Sequence, residues 1–376
     1  MTNPRPLGRE ILDLLQEYFL DQAVLEKWVA DGHAMAVQAA AGLKDDRRLD
    51  ELLLLLGISH TRRFTPQQIE YYHLLDTYAH TGLRSRLRSL FPDGVVRYPG
   101  IGVAVAVAER RFFVSATVPG GLAECGGLLS GDELVSVDDL PYEPVASFRG
   151  CEERSVSLGF RREAQGPVLH VEITPALLSA GALLAKASRD GARVIPWGSK
   201  SVAYYKPWSL AGDGHWRLLV NTLSGKLRSC DALVLDLRGG IGGASPDYAE
   251  FFVGRSPELT LLGPRQAKRI VNPHWRKPVI LLVDGTTRSG SEVFAFSLQR
   301  AGIPIVGTRT PGEVTVARPF ILSDESLLLV ATCAVAVDGV ILEGNGVQAD
   351  VVVPYEIAYA AGNDPQLDAA LELAAR

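Results

Sequence analysis

Apolar positions divide the chain into three kinds of pattern. From Pro6 to about Leu90, Ile11, Leu14, Leu15 and Tyr18 recur at helical spacing, and Leu49 to Leu56 forms an apolar segment on a further helix. Gly57 ends that segment, and Thr65-Pro66 reads as a threonine cap with proline at the first position of the next helix. His60 is thereby held on a short loop. From Gly94 to about Thr174 the period shortens to strands with glycine turns: Gly100-Ile101-Gly102-Val103, Phe112 to Val118, Leu134 to Val137 and Val168 to Ile173. Leu177 to Ile195 is of mixed character and reads as a linker. From Lys200 onward, strands (Ser201 to Leu210, Asp231 to Arg238, near Val279, Ile303 to Val306) alternate with helical stretches such as Gly214 to Ser229, and a β-rich segment spans Pro319 to Val337. Such alternation predicts a largely parallel sheet covered by helices. The expected fold is α/β multidomain: helical residues 1–93, β-rich residues 94–176, a linker 177–199 and an α/β core 200–376.

Two glycine-bearing turns in the last region carry candidate chemistry. The apolar run Pro278 to Val283 reads as a buried strand, and Val293 to Leu298 has helical spacing. Ser289 therefore lies in a strand-turn-helix, where unpaired N–H groups and the helix dipole would stabilise an oxyanion. Ser289-x-x-Glu292 is also a capping box, a common way to start a helix, and on these residues alone both readings stand. The second turn, Gly239-Gly240-Ile241-Gly242-Gly243, follows the strand ending in Asp236-Leu237-Arg238, at the strand end where open α/β sheets place ligands. No Lys-Ser/Thr pair follows it and it does not read G-x-G-x-x-G. Its glycines suit close approach of a backbone N–H to a substrate carbonyl.

Composition narrows the rest. With 376 residues, 47% of them hydrophobic, the chain can bury a sizeable core in two or three domains. A net charge of −5 without a long basic run gives no footprint for nucleic acid. Cys125, Cys151, Cys230 and Cys333 have no paired spacing, so neither a disulfide framework nor a zinc site is indicated, and no other cluster has metal-ligand spacing. No cofactor is expected. No transmembrane run or signal-peptide pattern is visible, which places the chain as it stands in the cytoplasm, or in the periplasm or outside the cell if a leader has been removed.

The motifs now resemble a known family. Val118-Pro119-Gly120-Gly121 through Ser130-Gly131-Asp132-Glu133-Leu134-Val135-Ser136-Val137-Asp138 is similar to the circularly permuted PDZ domains of bacterial proteases. Asp236-Leu237-Arg238 with its glycines, Gly285-Thr286 through Ser289-Gly290-Ser291-Glu292, Val306-Gly307 through Gly312, Leu342-Glu343-Gly344-Asn345-Gly346 and Asp364-Pro365-Gln366-Leu367 occur in the order found in tail-specific (C-terminal processing) and tricorn-type serine peptidases. The resemblance covers about residues 95–376. It implies a PDZ-like domain and a ClpP/crotonase-like catalytic core, following the helical N-terminal domain that the periodicity predicts. Gly100, Ile101, Gly102 and Val103 would then be the loop that captures a peptide C-terminus, the peptide adding as a strand.

The family has two catalytic versions. In the tail-specific one a lysine is the general base, and Glu313 stands at its place here; a carboxylate with a reference pKa of about 4 is a poor acceptor for a serine proton. In the tricorn-type version a histidine is the base, supported by a glutamate. The resemblance therefore assigns Ser289 as nucleophile, His60 as base and Glu343 as its orienting group through Ser59, with an oxyanion hole at the amides of Gly290 and Gly242 or Gly243. Imidazole titrates near neutrality, which suits the role. His215, at the start of a helix, is the rival base. The expected activity is cleavage of polypeptides through an acyl-enzyme, the substrate engaged through its C-terminus, with a homo-oligomer allowed. The alternatives are a non-catalytic peptide-binding homologue and an esterase using the same nucleophile.

Overall fold

The computed structural model describes residues 6–41, 47–255, 257, 259–262, 269–271 and 274–376. At its centre lies a six-stranded sheet in the order Arg193–Trp197, Lys200–Tyr205, Ala232–Asp236, Val279–Val283, Ile305–Gly307, Val351–Val352. The first pair is antiparallel and every later neighbour is parallel. Successive side chains of a strand point to opposite faces, so alternate residues of the same apolar runs enter different cores. Leu233, Leu235, Leu281 and Val283 pack with helices Asp213–Ser224 and Gly290–Arg300. Val202, Val234, Ile280 and Leu282 pack with Ala370 and Leu371 of the helix Pro365–Ala374.

The N-terminal helices do not form a core of their own. A second sheet of three strands has the order Arg62–Phe64, Leu327–Ala334, Thr315–Ile321, in which Arg62–Phe64 runs antiparallel to Leu327–Leu329. Leu328 and Val330 on one face complete a core with Ile11, Leu15, Leu49 and Leu53. Leu327, Leu329 and Ile321 complete another with Phe64, Tyr71 and Leu75. Fully burying one such side chain is worth about 1.5–3 kcal/mol, so this clasp anchors the N-terminal layer firmly. It also fixes the loop just before Arg62.

Residues between these parts form a sheet in the order Val103–Ala108, Arg111–Thr117, Glu133–Val137, Val156–Arg161, Leu169–Ile173. The chain enters and leaves it through the antiparallel pair Arg97–Gly100 and Ala176–Ser179. Its far side rests on residues 357–362: Tyr359 Oη donates to Glu133 (2.7 Å) and accepts from Arg111 (2.9 Å). A Cβ at Gly131 would lie 2.3 Å from the Ala360 nitrogen, so only glycine allows this contact.

Three local readings differ from the structure. The stretch expected as a linker folds into the strand Ala176–Ser179, the helix Ala180–Asp190 and the strand Arg193–Trp197. That helix buries Ala180, Leu184, Ala187 and Ser188, mostly small residues that give little apolar contrast. Thr65 and Pro66 do not start a helix. Gln68 Oε1 instead accepts from the Thr65 N–H (2.7 Å) in a turn, and the helix is Ile69–Thr77. The helix expected from Gly214 to Ser229 ends at Ser224, where Gly225 turns the chain. Among the described residues no helix is long and apolar enough to cross a membrane.

Candidate active site

Ser289 stands between the buried strand Val279–Val283 and the helix Gly290–Arg300, with φ 57° and ψ −130°. Such a backbone is costly for a residue with a Cβ and persists only where its surroundings hold it. The Ser289 N–H donates to the Glu313 carbonyl (3.0 Å) and approaches Glu292 Oε2 (3.2 Å). Glu292 is fully buried and takes three further donors: the Thr310 hydroxyl (2.5 Å), the Gly312 N–H and the Glu313 N–H (2.8 Å each). Burial pushes the Glu292 pKa up, and these hydrogen bonds oppose the shift. The capping glutamate thus also pins the loop that supports the serine.

His60 also has a positive φ of 57°. Ser59 Oγ donates to Glu343 Oε2 (2.8 Å), and the Ser59 N–H donates to Glu343 Oε1 (2.9 Å). His60 Nδ1 lies 3.0 Å from Ser59 Oγ and 3.2 Å from Thr315 Oγ1. Thr315 Oγ1 in turn donates to the Ser59 carbonyl (3.2 Å). With both hydroxyl protons committed, their oxygens can only accept from the ring, which places the imidazole proton on Nδ1 and leaves the Nε2 lone pair free. Burial lowers the His60 pKa; the Glu313 and then the Glu343 carboxylate oppose this, and the Arg288 guanidinium adds to it. Arg288 and Glu313 form a half-exposed ion pair of 3.4 Å.

Ser289 and His60 meet through one short segment. Glu313 receives the Ser289 N–H, the Val314 N–H donates to Glu343 (2.7 Å), and Thr315 contacts His60. No hydrogen bond joins the Ser289 hydroxyl to the imidazole in this structure, among the described residues. Catalytic contacts of this kind are often long before substrate binds.

The glycine loop comes down on the other side of the serine. A Cβ at Gly242 would lie 3.0 Å from Ser289 Cβ, and one at Gly290 would meet the nitrogens of Ala244 (2.5 Å) and Gly243 (2.9 Å). The absence of side chains there lets the two backbones touch. The amides of Gly243 and Ala244 are the ones that crowd Gly290; Gly242 packs against the serine side chain. Behind the loop, Arg238 holds Asp236 through two hydrogen bonds (2.9 and 2.8 Å), Asp364 through two (3.0 and 2.7 Å) and Gln366 (2.9 Å). The Asp-Leu-Arg and Asp-Pro-Gln motifs are therefore joined in one largely buried brace at the start of the glycine turn.

The other candidates lie elsewhere. Gly100 to Val103 are held within their own region: the Ile101 and Gly102 carbonyls accept from Ala123 (3.0 Å) and Val118 (2.9 Å). The strand from Val103 that follows is an edge strand, paired only with Arg111–Thr117. His215 Nδ1 is buried without a partner, and no hydrogen bond links it to the Ser289 and His60 cluster. Sequence reasoning missed Thr315 and the Arg288–Glu313 pair. Their only local signal is proximity to the Gly312 and Ser289 motifs. Among the described residues no group of three or more His, Cys, Asp or Glu could hold a metal ion.

Residues 205–353 match peptidase family S41. The carboxyl-terminal-processing protease of Picosynechococcus sp. is 25% identical over 346 residues, spanning 86% of this chain and 77% of that protein. Carboxyl-terminal-processing peptidase 2, chloroplastic, of Arabidopsis thaliana is 25% identical over 265 residues, 63% of this chain and 49% of the relative. Among solved structures, tricorn protease superposes with a TM-score of 0.54 at 15% identity, covering 97% of this chain and 36% of that one. Mature CPAF does so with a TM-score of 0.52 at 14% identity, covering 98% and 96%. These likenesses in structure show a shared mixed helix and sheet fold.

Proposed function

We propose that this chain, a serine-type peptidase whose residues 205–353 match family S41, cleaves polypeptides through an acyl-enzyme with a Ser289, His60, Glu343 site. The single observation that carries this reading is the continuous relay from Glu343 through Ser59 to His60 Nδ1. His60 Nε2 takes the Ser289 proton as Oγ attacks the scissile carbonyl, forming a tetrahedral adduct. The resulting imidazolium is steadied by Glu343 through the Ser59 hydroxyl, and gives its proton to the leaving amine. The negative oxygen would lie between the Gly290 amide and those of the glycine loop, each worth on the order of a hundredfold in rate. Water then repeats the sequence on the acyl-enzyme. The open edge of Val103–Ala108 is suited to take an extended peptide as an added strand, with Gly100 to Val103 receiving its C-terminus, in the manner of a PDZ domain.

Labelling with a fluorophosphonate serine probe tests the reading. Wild type should label, and both Ser289→Ala and His60→Ala should not, while His215→Ala should. Labelling that survives His60→Ala would sink the assignment of the base, and an unlabelled wild type that cleaves no unfolded protein would favour a peptide-binding homologue instead.

A further inference from the structure

A cavity of about 430 Å³ lies between the end of the helix Ile69–Thr77 and the turn leading into Asp213–Ser224. Asp76, His80, Leu184, Ser209, Ala211 and His215 are among its lining residues. Only one backbone layer separates it from the nucleophile. A Cβ at Gly243 would sit 2.8 Å from Ala211 Cβ, while the Gly243 nitrogen abuts Gly290. The Leu210 N–H bonds to the Ile241 carbonyl (3.2 Å), and the Ile241 N–H to the Trp208 carbonyl (2.9 Å), so backbone hydrogen bonds tie the segment that lines the cavity to the glycine loop.

The lining carries the carboxylates Asp76 and Asp213 and the imidazoles His80 and His215. Asp76 is partly buried, forms no ion pair among the described residues, and presses against Gly181 so closely that a Cβ there would lie 2.3 Å from its Oδ2. No lysine or arginine lines the cavity. The other carboxylate, Asp213, is exposed and faces Arg217 on its own helix at 3.5 Å. His215 Nδ1 is buried and unpartnered, an acceptor in want of a donor when the ring carries its proton on the other nitrogen. Leu184 and Ala211 offer apolar contact for a methylene stem, such as the long cationic side chains lay along apolar surface. Burial raises the Asp76 pKa and the neighbouring His80 opposes the shift, so the carboxylate has an imidazole but no lysine or arginine beside it, and a full cation would compensate its burial further.

We propose that this cavity is a specificity subsite for a lysine or arginine side chain of the substrate, with Asp76 as its counter-ion and the glycine loop aligning the bound chain past Ser289. The proposal rests on the peptidase reading for its place in the reaction, but the binding of a cationic side chain can be measured apart from turnover.

The experiment has two arms. In the first, N-acetyl-arginine amide and N-acetyl-norleucine amide are titrated by NMR into wild type, Asp76→Asn and Asp76→Leu. The expected result is wild-type preference for the arginine amide on the order of tenfold or more, lost in both variants. Equal binding of the two amides, or a preference that survives Asp76→Asn, overturns the proposal. In the second arm, kcat/KM is measured for peptides differing only in arginine, norleucine or glutamate at each position flanking the scissile bond. One position should favour arginine in wild type. Asp76→Asn should abolish that preference and leave the norleucine peptide within about twofold, as expected for loss of one charge-assisted contact. Absence of any arginine preference overturns the subsite even if cleavage is robust. Arginine amide binding that depends on Asp76, in a protein that neither cleaves nor labels at Ser289, would retain the cationic pocket and remove the peptidase reading.

Discussion

The two halves of the candidate site are held in place by opposite means. Ser289 is positioned first by what surrounds it in sequence: a buried strand six residues before, a helix starting one residue after, and Glu292 reaching back along that helix. The Glu313 carbonyl and Gly242 close on it from elsewhere in the chain. His60 is positioned almost wholly by residues more than 250 positions away, through Arg62–Phe64 on Leu327–Leu329, Glu343 on Ser59 and Thr315 on the imidazole. The difference teaches that a candidate nucleophile can be set mainly by local backbone geometry, whereas the candidate base here depends on long-range docking. The two halves should therefore fail differently when perturbed.

The largest effect is expected where the halves share a reaction. Ser289→Ala and His60→Ala should each lower kcat by about 10⁴-fold or more, and the double variant should be little worse, measured on an unfolded protein substrate. Near-additive losses would show that the two do not act as a unit. Next come the anchors. Arg63 is buried and holds Asp324 (2.7 Å), Ser326 (2.9 Å) and Asp50 (3.4 Å) across the clasp. Arg63→Ala should cost about 3–5 kcal/mol in urea unfolding, as expected for breaking a buried pair. It should also abolish labelling at an unchanged Ser289. Glu292→Gln, which puts a donor in place of one of two oxygens that each accept two hydrogen bonds, should cost roughly 1–3 kcal/mol. If Arg63→Ala left labelling intact, the base would not depend on the clasp.

Smaller effects should sharpen the relay. Ser59→Ala and Thr315→Val should each reduce kcat on the order of ten- to a hundredfold with KM unchanged, the worth of a hydrogen bond to a charged group. A Ser59→Ala variant with full kcat would remove Glu343 from the mechanism. The smallest expected change is in pH dependence. The base must be neutral to accept a proton, so activity falls as pH drops through the His60 pKa. Burial lowers that pKa, and the acid limb of kcat/KM should lie below the ordinary histidine value. Glu313→Gln removes the largest opposing charge and should move the limb to still lower pH; a move to higher pH would contradict the electrostatic reading.

The same contrast explains what could be read from the sequence. The central strands announced themselves because Val279–Val283 and Ala232–Asp236 are buried on both faces and so lack polar alternation. The Ser289 turn was legible for the same reason, lying between two patterned elements. The role of His60 was reachable only by resemblance to a family, since no period in a chain records which strand a three-residue segment will join. Thr315 was invisible because its partner lies 255 positions away in sequence. The helix Ala180–Asp190 escaped because alanine and serine on its inner face blur the apolar stripe. The brace of Asp236, Arg238 and Asp364 was visible as motifs, yet motif text does not say whether a charged residue touches substrate or holds a loop.

The clasp carries a consequence for biosynthesis. Arg62–Phe64 leaves the ribosome well before its partner strand, which begins at Leu327, and before Glu343, the carboxylate bonded to Ser59. A nascent chain can complete neither contact until residues 327–343 have been made, because the intervening loop must close first. The candidate site thus comes together late, after the sheet that holds Ser289 has its inner strands. A chain stalled or truncated before Glu343 would carry Ser289 without the carboxylate that Ser59 and His60 reach in the folded molecule.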